Sequence, residues 1–305
     1  MLGYLWRRLR YLPVSLLLVL FVTFSVLRLT GNPVDIYLDM NRTPEQVEAL
    51  TQKLHLDQPL IVQFGIYLRD VLKGDFGESL QFGVPALEVV LDRLGNTLEL
   101  VAVALGLAVI LGIAGGAVAA LRRDRLADIV ISFLAVLGQS MPSFWLGILL
   151  IQLFALRLGW LPTSGQGGLS HIVLPALTLA AYLIPNFILI TRTGVIETSN
   201  EQFVVTARAK GIPPARVMLV HVLPNTLNPI LSFLGLQLGK LIGGSIITES
   251  IFAWPGIGRL MVSSIFQRDI PVVIAAICIM CIAIVLANLL VDVALSMLDP
   301  RIREA

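Results

Sequence analysis

The residues of this chain that could do chemistry are few, and most of them read as structural. Gly235-Leu-Gln-Leu-Gly239-Lys240-Leu241 approaches a phosphate-binding loop. It has three residues between its glycines instead of four, and Leu241 stands where Ser or Thr would reach magnesium. Read as Gly235, Gly239 and Gly243, the stretch is instead an i, i+4, i+8 ladder that clears one helix face for close packing. Gly112 and Gly116 repeat the device. Cys278 and Cys281 have CxxC spacing, but the chain holds no other cysteine and a closed metal site needs more ligands. They are expected to act as small buried hydrophobes, and no metal site is expected. His55, His171 and His221 are far apart in sequence, and only His171 is placed to meet a solute. No HExxH motif and no nucleophile–base spacing is present, so the chain does not read as an enzyme. What remains is a set of polar residues in apolar surroundings: Gln139, Gln152, Asn186, Gln237, Lys240, Asn288 and Asp292. An ionisable group inside an apolar helix is a functional candidate by default. Lys240, Gln237 and Asn186 are the candidates for lining a pathway.

The elements that must position these residues are set by composition. Of 305 residues, 56% are hydrophobic and 14% charged, and the mean hydropathy is +0.86. A soluble domain carries about a quarter charged residues. The net charge of +2 gives no footprint for nucleic acid. Six stretches are long and apolar enough, or nearly so, to span a bilayer as helices: 11–27, 97–121, 129–156, 172–191, 229–251 and 271–298. The first is expected to be a retained anchor, because its apolar core is too long for a signal peptide and Arg28-Leu29-Thr30-Gly31 is no small-residue cleavage site. An all-α membrane protein of six helices follows, since lipid forces each segment to satisfy its own backbone.

Charge sets the orientation. If the N-terminus is inside, the cytoplasmic pieces carry Arg7, Arg8, Arg10, Arg122, Arg123, Arg125, Arg192, Arg208, Lys210, Arg216, Arg301 and Arg303. The short outside loops carry only Arg157, Arg259 and Arg268. Both termini are therefore expected in the cytoplasm. The expected organisation is an N-terminal transmembrane helix (1–30), a periplasmic segment (31–94), a five-helix transmembrane domain (95–298) and a cytoplasmic tail (299–305). The outer segment opens on the turn Gly31-Asn32-Pro33 and turns helical from Pro44 to Leu56 with Thr43 as N-cap, after which Gly74, Gly77, Gly83 and Pro85 break it up. Residues 159–171 read as a plain turn. No internal repeat is evident, which counts against the inverted-repeat transporters.

The most informative stretch is cytoplasmic. Within the loop 195–228 runs Thr206-Ala207-Arg208-Ala209-Lys210-Gly211-Ile-Pro213-Pro214. It reads as a short basic helix with a slim face at Ala207 and Ala209, stopped by a left-handed Gly211 and forbidden to continue by Pro213-Pro214. Such a helix between two spans is suited to dock into a partner.

Thr206-Ala-Arg-Ala-Lys-Gly211 resembles the coupling loop, or EAA loop, of ATP-binding-cassette importer permeases, and more narrowly the dipeptide/oligopeptide/nickel branch. The likeness covers nearly the whole chain. It includes Leu56-Asp-Gln-Pro-Leu60, Gly74-Asp-Phe-Gly77, Ser140-Met-Pro-Ser-Phe-Trp145, Gly159-Trp-Leu-Pro162 and His171-Ile-Val-Leu-Pro-Ala176. It is strongest at Glu249-Ser-Ile-Phe-Ala-Trp-Pro-Gly-Ile-Gly258, Arg268-Asp269 and Leu298-Asp-Pro-Arg-Ile-Arg303. Two departures stand out: Thr206-Ala207 replaces the Glu-Ala of the loop's name, and Leu29-Thr-Gly-Asn-Pro33 replaces Ala-Pro-Gly-Asp-Pro. The resemblance implies a type I importer fold in the bacterial inner membrane. It also implies a second homologous permease, two cytosolic ATPases holding ATP and magnesium, and a periplasmic solute-binding protein. This chain itself would bind no cofactor. The implied solute is a di- or oligopeptide, or nickel or its chelate, with 251–259 and 264–269 closer to nickel-type permeases. The competing class is a self-sufficient channel or secondary transporter.

Overall fold

The computed structural model describes residues 11–30, 43–53 and 56–298. Expectations resting on Arg7, Arg8, Arg10, His55, Arg301, Arg303 or the 31–33 turn lie outside the described residues, as do the side chains of Arg28 and Asp292. Among the described residues the regular elements are helical, apart from one isolated antiparallel bridge, Glu78 to Pro85. In chain order they are α1 (Tyr11–Thr30), α2 (Pro44–Lys53), α3 (Leu60–Leu72), α4 (Ala86–Leu121), α5 (Leu126–Ser140) and α6 (Ser143–Leu150), which continues as a π-helical turn, Ile151–Arg157. Then come α7 (Gly168–Ala181), α8 (Ile184–Ser199), α9 (Gln202–Ala209) and α10 (Pro214–Arg216), followed by a π-helical segment, Val217–Val222. The chain ends through α11 (Leu223–Ile251), α12 (Ile257–Phe266) and α13 (Ile270–Leu298).

Two of the expected straight spans are bent, a third bend falls at the start of another, and each lies at a proline. The 129–156 stretch breaks after Ser140, and its halves meet at 109°. Pro142 disfavours the helical region for the residue before it, and Met141 is accordingly extended, at φ −85° and ψ 131°. The 172–191 stretch bends by 59° between Ala181 and Ile184. Pro185 can neither donate to the carbonyl of Ala181 nor fit beside it, so it starts a new helix instead. A third bend of 40° falls at Pro229. By length and composition two helices, α4 and Ile270–Val291, could each cross a membrane alone; counting each bent pair as one span brings the number to five. In α1 the described apolar stretch is Leu16–Ser25. Helix α4 also begins earlier than expected, at Ala86 instead of residue 97.

The chain divides into two compact units. One consists of residues up to 95 with 260–285. Its core joins Leu20, Ile274 and Cys278, with Tyr67, Leu68, Val71, Phe76 and Ile270 packed around them. Phe21 and Phe24 meet the ring of Phe64 edge-on at 5.6 and 5.4 Å. Cys278 thus packs as a small hydrophobe. Helix α3, which the glycine-centred reading passed over, supplies Phe64, Tyr67, Leu68 and Val71 at i, i+3, i+4 and i+7. Asp269 is buried here and accepts a 2.5 Å hydrogen bond from Ser79 Oγ.

The other unit holds 96–259 with the chain from 286. Here Gly112 and Gly116 of α4 let α8 approach closely. A Cβ on Gly116 would lie 2.6 Å from both the Ile188 carbonyl oxygen and Thr191 Cβ, and one on Gly112 would overlap Phe187. Gly243, the last glycine of the second ladder, behaves differently: a Cβ there would meet nothing within 4 Å among the described residues.

Candidate functional site: a capped basic helix and a lysine-bearing cavity

Helix α9 ends as its sequence requires. Gly211 adopts φ +76°, its N–H donates to Arg208 O at 2.9 Å, and Ile212 N–H donates to Ala207 O at 3.3 Å. These are the two bonds of a Schellman cap, which needs a left-handed residue where only glycine, or less readily asparagine, is comfortable. The inward face of α9 is Val204 and Ala207, buried against Val195, Val217 and Val222, with Ile212 packed beside them. This corrects the expected slim docking face. On a helix Ala207 and Ala209 point about 200° apart, and Ala207 serves the chain's own core while Ala209 is exposed. Thr206, Arg208, Lys210 and Gly211 are exposed too, as are the apolar Phe203 and Val205. The outer face is therefore mixed apolar and basic. Arg208 also lines a cavity of about 420 Å³ with Arg123, Ile196 and Met218.

Beside this helix, α8 is tied to α5 by a bidentate ion pair. Arg192 Nε and Nη2 donate to Asp128 Oδ1 and Oδ2 at 2.6 and 2.7 Å. The Asp124 amide, itself at φ +61°, adds a 3.0 Å bond to Oδ2. Arg192 was legible as a charge at the end of an apolar run; its partner Asp128, lying 64 residues away, was not.

The breaks at Met141-Pro142 and Tyr182-Leu183 open a second cavity, of about 470 Å³. Gln139, Ser140 and Ser143 line it from the first break, Thr178 and Tyr182 from the second, and Lys240 from α11. The three pathway candidates fall apart here. Lys240 is exposed and lines the cavity. Asn186 does not line it and reaches it through two lining residues: Gln139 Nε2 donates to Asn186 Oδ1 at 3.4 Å, and Asn186 Nδ2 donates to Tyr182 O at 3.3 Å. Gln237 is buried away from it, with Oε1 unpartnered among the described residues. His171 stands at the start of α7, its ring over Gly167. Among the described residues no three His, Cys, Asp or Glu side chains converge as a metal site would require.

The Glu249–Gly258 stretch proves to be a buried hub. Glu249 is fully buried; its Oε1 accepts from Thr97 Oγ1 at 2.8 Å and its Oε2 from Arg259 N at 3.1 Å. Thr97 Oγ1 in turn accepts from Ile257 N at 2.8 Å. Trp254 Nε1 donates to Asn96 O at 2.9 Å, and Asn96 Nδ2 donates to Pro255 O at 2.8 Å. A side chain on Gly256 would overlap the Glu249 carboxylate, and one on Gly258 would lie 2.6 Å from Ile246 Cα. The 159–167 loop joins this hub and is more than a plain turn: Gly165 N donates to Phe252 O at 2.8 Å and Gln166 Nε2 to Asn96 Oδ1 at 2.9 Å.

Known proteins share this architecture and sequence. The family described as binding-protein-dependent transport system inner membrane component matches residues 112–304, and its N-terminal counterpart matches 1–102. The glutathione transport system permease protein GsiC of Salmonella choleraesuis (strain SC-B67) is 40% identical over 304 residues, 99% of each chain. GsiC of Escherichia coli (strain K12) matches to the same extent. Two inward-facing crystal forms of the MetNI methionine ABC transporter share the fold at 16% identity, with TM-scores of 0.56 (native) and 0.59 (SeMet soak). Each match covers 69% of this chain and 96% of that one. The chain belongs to the binding-protein-dependent transport inner-membrane component family, within its peptide/nickel permease branch, and is an ABC importer permease subunit and not an enzyme.

Proposed function

We propose that this subunit forms half of the translocation pathway for a peptide-class solute of the glutathione kind, in a bacterial inner membrane. The observation that carries the solute class is the 40% identity, over 99% of both chains, to permeases named for glutathione transport. It outweighs the local likeness of 251–259 and 264–269 to nickel-type permeases. In this reading six helices cross the bilayer with both termini in the cytoplasm. Residues 1–30 are the first span, 31–94 the periplasmic segment, 95–298 the core transmembrane domain and 299–305 the tail. A second homologous permease completes the pathway. Two cytosolic ATPases hold ATP and magnesium, and a periplasmic binding protein delivers the solute.

The coupling element is the loop 195–228, with Thr206, Ala207, Arg208, Ala209, Lys210 and Gly211 at its centre. Phe203, Val205, Arg208 and Ala209 face the ATPase. Val204 and Ala207 pass its displacement to α8 through Val195 and to the start of α11 through Val217 and Val222. Helix α8 pulls on α5 through Arg192 and Asp128, and α5 and α11 both wall the Lys240 cavity. Closure of the ATPases is thus turned into a change of the pathway by packed, rigid elements. The test is uptake by vesicles containing this chain with its partner permease, ATPases and binding protein. ATP-dependent uptake of glutathione supports the reading; uptake of free nickel without glutathione would replace the solute, and uptake by this chain alone would replace the importer mechanism.

A further inference from the structure

The cavity bearing Lys240 is unusual in its balance of charges and donors. Lys240 forms no hydrogen bond or ion pair among the described residues, and no Asp or Glu lines the cavity. The hydroxyls of Ser140 and Thr178 donate within their own helices, to Val136 O at 2.9 Å and Leu174 O at 2.8 Å. Ser143 has no partner among the described residues, and Gln139 keeps a second amide hydrogen beyond the one aimed at Asn186. The acceptors that line the cavity, Gln139 Oε1 and the hydroxyl oxygens, are neutral, and the groups free to donate are an ammonium with three N–H bonds, the Ser143 hydroxyl and a Gln139 amide hydrogen. The ligand that fits them is an acceptor carrying negative charge, and a carboxylate is the acceptor-only group of the right size. A bare metal cation is the wrong sign for this cavity. A structural lysine in apolar surroundings pairs with a carboxylate or with backbone carbonyls; among the described residues Lys240 has neither, which leaves the position for a counter-charge that arrives and departs.

We infer that the cavity between the α5–α6 break, the α7–α8 break and α11 is a transit subsite for a solute carboxylate, seated on Lys240 and flanked by Ser143 and Gln139. The inference rests on the importer reading and narrows its solutes to those bearing a free carboxylate.

The test uses the assembled importer in vesicles, with Cys278→Ala, Cys281→Ala and a reporter thiol from Ser140→Cys. Anionic and cationic methanethiosulfonate reagents are compared for their rates at the reporter. With Lys240 present the anionic-to-cationic rate ratio should exceed that for a free thiol in solution. Lys240→Met or Lys240→Gln should lower the anionic-to-cationic ratio about tenfold, a modest fraction of what one charge exerts at contact distance in a protein, and Lys240→Arg should retain it. S-methylglutathione should slow labelling in the lysine protein, its diethyl ester should not, and Lys240→Met should abolish the difference. A ratio indifferent to residue 240 overturns the inference, and so does equal protection by acid and ester. The ratio requires neither ATP nor transport, so failure of glutathione import would count against the proposed solute without deciding this subsite.

Discussion

Glu249 and Lys240 lie nine residues apart on α11, and the surrounding chain treats them in opposite ways. Glu249 is fully buried, and its carboxylate gathers a threonine hydroxyl and a backbone amide. Two glycines leave room for nothing larger around it. Lys240 is exposed to a cavity and has no partner among the described residues. A charge whose valences are filled by its own chain is a structural fastening, costly to remove and silent toward solutes. An unfilled charge contributes little to the fold and remains available to a ligand. Asp128 stands between them, buried but paired with a partly exposed arginine.

The largest effect should come from breaking the saturated site. Glu249→Ala strands the donors of Thr97 and Arg259, at about 1–3 kcal/mol for each buried unsatisfied group. The purified importer should lose several kcal/mol of stability, read as a sharp fall in Tm and in membrane yield, with Glu249→Gln intermediate. A wild-type Tm for the alanine variant would remove the distinction between the two charges. Asp128→Ala should cost less, about 1–2 kcal/mol, because Arg192 can turn toward water. Its sharper signature should be loss of coupling, with ATP hydrolysis retained and uptake reduced. Lys240→Met should change stability least, within about 0.5 kcal/mol as for substitutions away from packed features. A large Tm loss there would mean that Lys240 has a structural partner after all.

How much of this was legible follows from the range of each interaction. The end of α9 is written in consecutive residues, so Gly211 and Pro213-Pro214 sufficed to place its left-handed stop. The burial of Ala207 was missed because its partners, Val195, Val217 and Val222, arrive from flanking elements. The helical period itself could have warned that 207 and 209 do not share a face. The apolar helices were legible as apolar runs, but their bends were not, although Pro142 and Pro185 are local signals for them. The role of Glu249 is invisible to any spacing rule, because Thr97 lies 152 residues earlier. Lys240 stood out for the opposite reason, since a lone ionisable residue in an apolar run needs no distant partner to be noticed.

The central claim is that an ATP-driven motion enters this chain through the capped helix α9, and position 211 tests it most directly. A Cβ there would meet nothing within 4 Å, so the constraint from this chain is the backbone angle, worth roughly 1–2 kcal/mol against a side chain that resists the left-handed region. The measurement is co-purification of the ATPases and solute-stimulated ATP hydrolysis in reconstituted vesicles, for Gly211→Asn and Gly211→Val. The account predicts that the asparagine variant keeps both, while the valine variant inserts normally but loses ATPase retention or stimulation. Full retention and full stimulation in Gly211→Val would contradict it, and the coupling element would have to lie elsewhere.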